Sequence, residues 1–455
     1  MREWQPTSAT IPRRELQGDR LMHTIGIRRE DKDQWEARVP LTPDHVGRLI
    51  TSHSLQIALQ PSRLRVFPAD DYERVGARID DDLSACDIVL AVKEIPRDLF
   101  LPGKTYVFFS HTIKGQPYNM AMLRRLMELE CQLIDYERIT DERFRRLIFF
   151  SRFAGLAGAI DSLWALGRRL DWEGLTPNPF SALSPTYRYA TLASALKAVE
   201  DAGLRLAADG LPEELCPFVI GITGYGNVSR GAQEVIDALG ARHVSPADLD
   251  DLVVAEPERH AAYKAVFAEE DLVARRDGGA FVLDDYYQHP DLYGGRFEAR
   301  LPQLAVLINC IYWDTPYPRL VTRGAARRLF AGAARPRLRV IGDLSCDIEG
   351  SIELTVKETH IDNPVYVYEP ATDTISDGVA GPGPVVLAVG NLPCELSREA
   401  SEAFSTALLP LVPALAAADL TRSFADVELP PELRRATILH RGAFTPSYAY
   451  MERFV

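Results

Sequence analysis

The sequence predicts an α/β protein with two Rossmann-like units, each of them a parallel sheet covered by helices on both faces. Three observations support this prediction. Short apolar runs alternate with amphipathic helical patterns from Thr24 onward. A strand, a glycine-rich turn and a helix follow one another around Gly224. The length of 455 residues exceeds what one hydrophobic core usually organises, and it predicts two or three domains.

The first unit contains five predicted strands and two clearly marked helices. Thr42 is a favourable N-cap and Pro43 is tolerated in the first turn, so a helix begins there. A second helix begins at Pro117 and ends near Glu130. The strands are the apolar runs Thr24–Ile27, Leu55–Leu59, Asp87–Val92, Thr105–Ser110 and Cys131–Ile134.

The second unit begins at Phe218. A helix rich in small residues precedes it, from Phe153 to about Leu170, followed by a Pro- and Ser-rich surface connection over residues 176–185. From Val385 the chain returns to helical patterns, and we expect this last segment to fold back on the first unit. The predicted strands of the second unit are Phe218–Thr223, Gln303–Asn309 and Leu338–Asp343.

The composition limits the class of protein. The chain has 64 acidic and 51 basic residues and a net charge of -13, which argues against nucleic acid or an anionic membrane as the main partner. Its six cysteines are far apart and form no metal-binding pattern, so we expect reduced thiols and no metal. Residues 1–22 lack an apolar signal segment. We therefore expect a loosely ordered leader there, a cytoplasmic protein and small-molecule partners. The sequence leaves the oligomeric state open.

The glycine-rich turn predicts a dinucleotide-binding site. Gly224 permits the tight turn, and Gly226 lets the backbone approach a pyrophosphate at the helix N-terminus. Ser229 stands where the usual pattern has a third glycine, and Gly231 lies two positions beyond it. The alternative is that these glycines only turn a strand into a helix. The predicted cofactor-binding residues are Gly224, Gly226, Asn227, Val228, Ser229, Ser245 and Asn309.

The residues after this turn favour NADPH over NADH. In a dinucleotide-binding fold, the strand after the glycine helix usually ends in an acid that binds the ribose 2′-hydroxyl. The corresponding stretch here is Arg242–Pro246, in which Ser245 replaces the acid. Arg230, Arg242 and His243 are close to it in the sequence and would favour a 2′-phosphate.

Two predicted strands of the first unit end in ionisable residues. Lys93 and Glu94 follow one strand, and His111 and Lys114 follow the next. Ligands of open α/β sheets bind outside the carboxyl ends of the strands, so these ends predict a site for proton chemistry. Lys93 and His111 are the candidate acid and base, because burial or a neighbouring charge can move the pKa of such side chains toward neutrality.

Other charged residues are candidates for substrate binding. Arg38 precedes the first helix and can hold a carboxylate through two nitrogens. Glu94 and Glu137 are candidates for holding a substrate ammonium, and Lys114 and Arg146 are further candidates. The alternative is structural. An isolated histidine is often a packed residue, a Lys-Glu pair can be a surface ion pair, and a charge run is often a solvated turn.

Short motifs that contain these residues occur in order along almost the whole chain beyond the leader. They are Ile25–Asp31, Trp35–Leu41, Val92–Pro96, Phe108–Lys114, Leu133–Glu137, Phe153–Gly158, Gly226–Ser229, Ile308–Trp313, Asp343–Ser351, Asn391–Pro393 and Arg398–Ser401. Together they resemble the lysine-ketoglutarate reductase family. This family is the saccharopine-forming half of the bifunctional lysine-degrading enzyme, and it is related to saccharopine dehydrogenases and alanine dehydrogenase.

The resemblance implies NADPH-dependent condensation of L-lysine with 2-oxoglutarate and reduction of the resulting imine to saccharopine. By match to the family motifs, Lys93 and His111 are the acid/base pair. Arg38 would anchor a carboxylate, and Glu94 and Glu137 would face the substrate.

The resemblance also implies an active-site cleft between two domains. The substrate domain would be discontinuous and consist of residues 23–205 and 385–455. The dinucleotide-binding domain, residues 206–384, would be inserted between these two parts.

Three positions depart from the family pattern. Gly390 stands where relatives commonly have an aspartate before Asn-Leu-Pro, and Phe144 and Ser151 stand where they usually have glycine. Two alternatives therefore remain beside the lysine-dependent reductase. One is a related NAD(P)-dependent amino-acid or opine-type dehydrogenase with a different amine or oxo acid. The other is a catalytically silent relative that binds a nucleotide or an amino acid.

Overall fold

The computed structural model describes residues 23–455 except positions 255, 257, 333 and 334, so the expected leader over residues 1–22 lies outside the described residues. The chain divides into two compact units. The first unit combines the chain up to Phe149 with Ser397–Val455, and the second unit is Phe150–Leu396.

Helices and strands alternate in the N-terminal part of the first unit. The helices are α1 (Pro43–His53), α2 (Ala69–Arg74) and α3 (Pro117–Glu128). The strands are β1 (Ile25–Ile27), β2 (Ile57–Leu59), β3 (Arg78–Ile79), β4 (Ile88–Leu90), β5 (Thr105–Phe108) and β6 (Gln132–Asp135).

The second unit contains seven α-helices and ten strands among its described residues. The helices are α4 (Ser151–Glu173), α5 (Leu192–Asp209), α6 (Asn227–Ala238), α7 (Leu249–Val254), α8 (Glu269–Leu272), α9 (Leu283–Gln288) and α10 (Arg323–Phe330). The strands are β7 (Phe218–Thr223), β8 (Arg242–His243), β9 (Ala262–Phe267), β10 (Val273–Arg275), β11 (Tyr293–Gly295), β12 (Val306–Asn309), β13 (Val340–Asp343), β14 (Val365–Glu369), β15 (Thr374–Asp377) and β16 (Val385–Leu387).

The chain then returns to the first unit. This last part contains α11 (Ser397–Leu408), α12 (Val412–Ala417), α13 (Pro431–Ala436), β17 (Thr437–His440) and β18 (Ala443–Phe444). Helix α11 is fixed to the N-terminal part by hydrogen bonds, because Val39 N donates to Ser401 Oγ (2.9 Å) and Thr42 N donates to Ser405 Oγ (3.0 Å).

The sheet of the first unit has the strand order β18-β17-β6-β5-β4-β1-β2-β3. The strands from β6 to β3 are parallel, whereas β17 is antiparallel to both β6 and β18. Strands β1, β4, β5 and β6 are buried along their whole length. This burial explains their continuous apolar runs, because a parallel strand covered on both faces has no polar side. The carboxyl ends of β4, β5 and β6 therefore lie side by side.

The main sheet of the second unit has the strand order β15-β14-β16-β13-β12-β7-β9-β8. The strands from β8 to β16 in this order are parallel, and β14 is antiparallel to both β16 and β15. A separate antiparallel pair is formed by β10 and β11. Two α/β units with parallel-dominated sheets confirm the predicted fold class, with antiparallel strands added at one edge of each sheet.

The division between the units differs from the boundaries predicted at residues 205 and 385. Helix α4 belongs to the second unit because it packs closely on α6. A Cβ atom on Gly155 would overlap Val228 O, and one on Gly231 would overlap Arg152 O. The strand Val385–Leu387 also remains in the second unit, since it pairs with β13 and β14.

Two further features concern the described residues only. The helical run Leu392–Ala417 is long and apolar enough to cross a membrane by length and composition alone, which is weak evidence for a membrane span, and 44% of its apolar window is buried inside the protein. No group of three or more His, Cys, Asp or Glu side chains within the described part of the chain is arranged to hold a metal ion.

Candidate functional site

Two neighbouring strand ends of the first unit bring Glu94 and His111 together. Glu94 follows β4, His111 follows β5, and these strands pair in parallel. The Nδ1 atom of His111 lies 2.6 Å from Glu94 Oε1, so the two side chains share a hydrogen bond. The side chain of Glu94 is 11% exposed and that of His111 is 34% exposed. A largely buried carboxylate thus orients a partly accessible imidazole.

The backbone at His111 is held in an unusual conformation. Its φ is 47°, in the left-handed region that costs a residue with a side chain about 1 kcal/mol or more. Asn119, on helix α3, donates from Nδ2 to the carbonyl oxygens of Ser110 (2.9 Å) and His111 (3.3 Å). The imidazole also stacks on Phe109, with ring centroids 6.2 Å apart. These contacts fix the direction in which the ring faces.

Glu94 is a strongly ionised carboxylate. Burial by itself would raise its pKa, but the hydrogen bond and the charge of His111, with a further contribution from Lys32, lower the pKa to about 2. The Nζ atom of Lys32 lies 3.4 Å from Glu94 Oε2. No described residue forms a hydrogen bond with this buried oxygen. One carboxylate oxygen therefore holds the histidine, and the other lies near the Lys32 ammonium without a hydrogen bond from a described residue.

Lys93 directly precedes Glu94 in the segment after β4, and Glu30 fixes the backbone there. Glu30 Oε1 accepts from Val92 N (2.7 Å) and Glu30 Oε2 accepts from Lys93 N (3.0 Å). Burial, followed by repulsion from Glu36, raises the pKa of Glu30 to about 7 despite these bonds. The Lys93 side chain is half-buried, and its ammonium forms no ion pair with a described residue.

Arg38 is placed differently from the sequence prediction. Its Nε donates to Glu36 Oε1 (2.7 Å) and one terminal nitrogen donates to Glu36 Oε2 (2.5 Å). Both side chains are buried, at 2% and 0% exposure. We expected Arg38 to bind a substrate carboxylate through two nitrogens. In the structure these two nitrogens bind the carboxylate of Glu36 instead.

The remaining substrate candidates lie around the end of β6 and in the loop after β5. Arg146 forms an ion pair with Glu137. Glu137 N donates to Asp135 Oδ1 (2.8 Å), and Ser110 Oγ donates to Asp135 Oδ2 (2.5 Å). Burial raises the pKa of Asp135 to about 6. Lys114 is exposed in the loop after His111. The network thus joins the ends of β5 and β6.

Sequence reasoning did not select Glu30, Lys32 or Asp135. Asp135 was nevertheless detectable, because it ends an apolar run in the same way as the residues that were selected. Glu30 and Lys32 follow β1 in the loop after this strand. Only the strand order, which places β1 directly beside β4, brings this loop to Lys93 and Glu94.

The second unit contains a cavity of about 640 Å³ at the carboxyl ends of its central strands. The glycine turn forms one wall, and the segments after β12 and β13 form another. Four of the predicted cofactor-binding residues line it: Gly224, Gly226, Asn227 and Val228. A cavity of this size and position suits a dinucleotide cofactor.

The two glycines of the turn fit that interpretation. Gly224 has a φ of +80°, which favours glycine, and its N–H donates to Phe267 O (2.8 Å). A Cβ atom on Gly226 would meet no described atom within 4 Å. The space above Gly226 is therefore open, as required where a pyrophosphate approaches the backbone at a helix N-terminus.

The third glycine of the usual pattern is replaced in function by Gly231. Its missing side chain allows α6 to pack against Arg152 on helix α4. Ser229 is buried and its Oγ accepts from Gln233 Nε2 (3.0 Å), so it does not line the cavity. The glycine therefore stands at position 231 instead of 229 because residue 231 is where α6 packs against α4.

Asn309 is a positioning residue rather than part of the cavity wall. It is fully buried at the end of β12, where its Oδ1 accepts from Thr223 Oγ1 (2.7 Å). Its Nδ2 donates to Asp343 Oδ1 (2.8 Å) and Ser351 Oγ (2.9 Å). These bonds tie the ends of β7, β12 and β13 together behind the cavity.

Ser245 does not occupy the position predicted for it. The strand beside β7 is β9, and β8, which precedes Ser245, is at the sheet edge. The Ser245 hydroxyl caps its own helical turn by accepting from Asp248 N (3.3 Å), and it also donates to Asp248 Oδ2 (2.6 Å). Arg242 pairs with Glu258 (2.7 Å). The residues that suggested NADPH therefore do not border the cavity.

The three departures from the family pattern have local explanations. A Cβ atom on Gly390 would overlap Glu358 Oε1, so a carboxylate already occupies this space. Phe144 has a φ of 58°, a conformation that favours glycine. Ser151 begins helix α4 and lines the cavity of the second unit.

Comparison with known proteins gives a family match over the N-terminal part of the chain and relatives over most of its length. Residues 26–157 match the family described as alanine dehydrogenase/PNT, N-terminal domain. Over 94% of its length the chain is 36% identical to alpha-aminoadipic semialdehyde synthase from Arabidopsis thaliana and 34% identical to the mitochondrial enzyme of this name from Bos taurus. It covers 41% and 47% of those proteins, so the chain spans less than half the length of these relatives.

One further protein matches in sequence at lower identity, and two solved structures share the fold. A saccharopine dehydrogenase (NAD(+), L-lysine-forming) from Emericella nidulans is 25% identical over 85% of this chain and 90% of that protein. An L-alanine dehydrogenase structure superposes with a TM-score of 0.57 at 16% identity, covering 95% of this chain and all (100%) of that chain. A transhydrogenase from Sinorhizobium meliloti gives 0.53 at 16% identity, covering 92% of this chain and 100% of that chain. These matches confirm the resemblance that the sequence motifs indicated.

Proposed function

Because the chain is homologous over 94% of its length to alpha-aminoadipic semialdehyde synthases and carries an alanine dehydrogenase/PNT N-terminal domain, we propose that it is a reductase that forms saccharopine. It would condense L-lysine with 2-oxoglutarate and reduce the resulting imine with a nicotinamide cofactor. The observation that carries the proposal is the Glu94–His111 hydrogen bond of 2.6 Å beside Lys93 at adjacent strand ends.

His111 is suited to move protons at this site. Since Nδ1 is engaged by Glu94, Nε2 is the ring atom that remains to exchange a proton with substrate. Glu94, with a pKa of about 2, remains ionised at neutral pH and stabilises the imidazole when it becomes positively charged. The carboxylate thus orients the ring and supports its charged form.

Imine formation needs this proton transfer in both directions. The lysine side-chain ammonium has to lose a proton before its nitrogen attacks the keto carbon. The carbinolamine hydroxyl then has to gain a proton before it leaves as water. His111 would accept the first proton and return one in the second step, and Lys93 would be the second proton-transfer group.

The charges at the site match the charges of the substrates. Glu94 Oε2 is buried without a hydrogen bond from a described residue, and an incoming ammonium can satisfy it. Lys93, half-buried beside this pair, would supply positive charge for a substrate carboxylate. Lys32 Nζ lies 3.4 Å from Glu94 Oε2 and is 49% exposed, so an incoming ammonium would take its place at this oxygen. The Arg38 guanidinium forms a buried ion pair with Glu36, so a substrate carboxylate would have to share it with Glu36.

The second unit would hold the cofactor. Gly224, Gly226 and the N-terminus of α6 suit the pyrophosphate, and the cavity of about 640 Å³ accommodates the remainder. When bound, a nicotinamide cofactor supplies the hydride that reduces the imine carbon. Ser245 and Arg242, which favoured NADPH in the sequence, do not line the cavity, so the remaining support for NADPH is the family resemblance.

The decisive experiment follows absorbance at 340 nm with the purified chain, L-lysine, 2-oxoglutarate and either NADPH or NADH. Loss of absorbance that requires both substrates, with saccharopine identified by mass spectrometry, is the expected result. Omission of either substrate is the control. Cofactor binding without turnover of this pair would reject lysine-dependent reduction and leave the silent relative as the interpretation.

A second candidate is a related dehydrogenase with a different amine or oxo acid. The specific observation in its favour is the exchange of carboxylate position at Gly390, where Glu358 occupies the space. The same assay with ornithine, other amines, pyruvate and oxaloacetate distinguishes the two candidates. The second requires that another pair be turned over faster than lysine with 2-oxoglutarate.

A further inference from the structure

The strand order places an acidic residue, Glu269, beside the glycine turn, although the two are far apart in the sequence. Strand β9 lies next to β7, with Thr223 opposite Phe267 at the last paired position. Gly224 N donates to Phe267 O (2.8 Å), which fixes the turn to the end of β9. Glu269 follows two residues later, at the start of α8. It is the acid at the end of the strand adjacent to the glycine turn.

The carboxylate of Glu269 is fixed at the wall of the cavity. Tyr287 donates to Glu269 Oε1 at 2.8 Å, and Tyr225, within the glycine turn, donates to the same oxygen at 3.5 Å. Burial and the bond to Glu269 raise the pKa of Tyr287, so this phenol remains a donor. Among the described residues none donates a hydrogen bond to Oε2. One oxygen is therefore positioned by tyrosines and the other can accept from a ligand.

The charge of the cavity wall is negative. Its charged side chains are Glu269 and Asp347, and no basic side chain of the described residues lines it. Arg230 is exposed outside this lining, and Arg242 is paired with Glu258 at 2.7 Å. A ligand with additional negative charge at this wall would meet a fixed carboxylate without a neutralising cation.

We infer that Glu269 selects the cofactor by accepting a hydrogen bond from the adenosine ribose 2′-hydroxyl, so that this protein prefers NADH to NADPH. A ribose hydroxyl can donate to a carboxylate in a short, charge-assisted bond. The 2′-phosphate of NADPH can donate no such bond at neutral pH, and its negative charge is repelled by Glu269. The inference rests on the proposed dinucleotide site and names the cofactor that it takes.

The test is direct binding of NADH and NADPH to the full chain by isothermal titration calorimetry, without amine or oxo acid. We expect the Kd for NADH to be lower by at least about tenfold, which corresponds to roughly 1.4 kcal/mol. Glu269→Gln retains a partner for Tyr287 but removes the charge. It should weaken NADH binding and improve NADPH binding, so that the ratio of the two Kd values falls toward one.

Two matched variants test the alternatives. Glu270→Gln removes an exposed acid next to Glu269 that does not line the cavity, and it should leave the Kd ratio unchanged. Arg230→Ala should also leave it unchanged. Tighter binding of NADPH by the wild type, or a loss of NADPH binding in Arg230→Ala, would overturn the inference.

The outcomes separate this inference from the proposed reaction. Preferential binding of NADH without turnover of lysine and 2-oxoglutarate rejects the reaction but keeps the role of Glu269. Turnover that prefers NADPH keeps the reaction and rejects the role. Failure to bind either dinucleotide overturns both. A Glu269→Gln variant that changes neither Kd also rejects the role, provided its circular dichroism spectrum matches that of the wild type.

Discussion

Replacing Glu94 with glutamine tests the central pair of the first unit. The pKa of Glu94 is about 2, against an ordinary 4.5. At about 1.4 kcal/mol for each pKa unit, the surroundings favour the carboxylate by roughly 3 kcal/mol. His111 is 34% exposed, so solvent screens part of this interaction. We expect Glu94→Gln to lower the free energy of unfolding by about 1–2 kcal/mol at neutral pH.

The stabilisation by Glu94 should decrease as the pH is lowered. Because the native-state pKa is depressed, the stabilisation is present above the unfolded-state pKa near 4.5 and is lost as the pH falls toward about 2. Urea unfolding of wild type and variant should therefore differ at about pH 7, and the difference should shrink to less than half of that value at about pH 3. The turnover number should fall by roughly 10- to 100-fold at neutral pH, because the imidazole loses its orienting anion.

Glu142→Gln is the matched control, since Glu142 is exposed in a turn. It should change neither stability nor turnover. A stability difference for Glu94→Gln that is equal at both pH values would show that packing, not charge, explains it. Unchanged turnover in Glu94→Gln would refute the role assigned to the pair.

Three further predictions concern proton transfer, cofactor approach and buried acids. Lys93→Met and His111→Ala should lower the turnover number by about 10²- to 10⁴-fold but leave the cofactor Kd nearly unchanged in calorimetry, and an equal loss of affinity would contradict their assignment. Gly226→Val should abolish cofactor binding while the free energy of unfolding stays within about 0.5 kcal/mol, since a Cβ there meets no described atom; retained affinity would place the phosphates elsewhere. Burial raises the pKa of Asp161 to about 6 and that of Glu395 well above its ordinary value. Raised pKa values give stability that is present below about pH 4 and is lost as the pH rises through the native values, so unfolding should need less urea at about pH 8 than at about pH 5.5. Glu395→Gln should reduce this dependence, and an identical pH profile in the variant would exclude the pair as its cause.

The sequence predicted the central strands well because they are buried on both faces. The run Phe218–Thr223 is apolar throughout and is followed by the glycine turn. Strand β9 was missed because Lys264 interrupts its apolar pattern. In the fold Lys264 is buried, at 6% exposure, and its Nζ lies 2.5 Å from Asp237 Oδ1. A buried lysine whose partner lies on another element cannot be recognised from the run itself, and Ser245 was misplaced as a consequence.

The candidate site was predictable to the extent that it depends on strand ends. Glu94 and His111 were selected because each follows an apolar run, and consecutive strands often pair in a parallel sheet. The contribution of Lys32 depends on β1 lying beside β4, which strand spacing does not reveal. The pairing of Arg38 with Glu36 is local and was visible in the sequence, but whether a nearby acid or a substrate satisfies an arginine depends on burial.

The overlap between Glu358 and a side chain at position 390 has an evolutionary consequence. In the observed conformation the Glu358 carboxylate occupies the space of a side chain at 390, so an aspartate at 390 would displace this exposed carboxylate or favour a shorter residue at 358. We expect positions 358 and 390 to covary among homologues. One acidic side chain would be kept, at position 358 in some proteins and at position 390 in others. Aligned one column at a time, such a swap would be mistaken for the loss of a functional group.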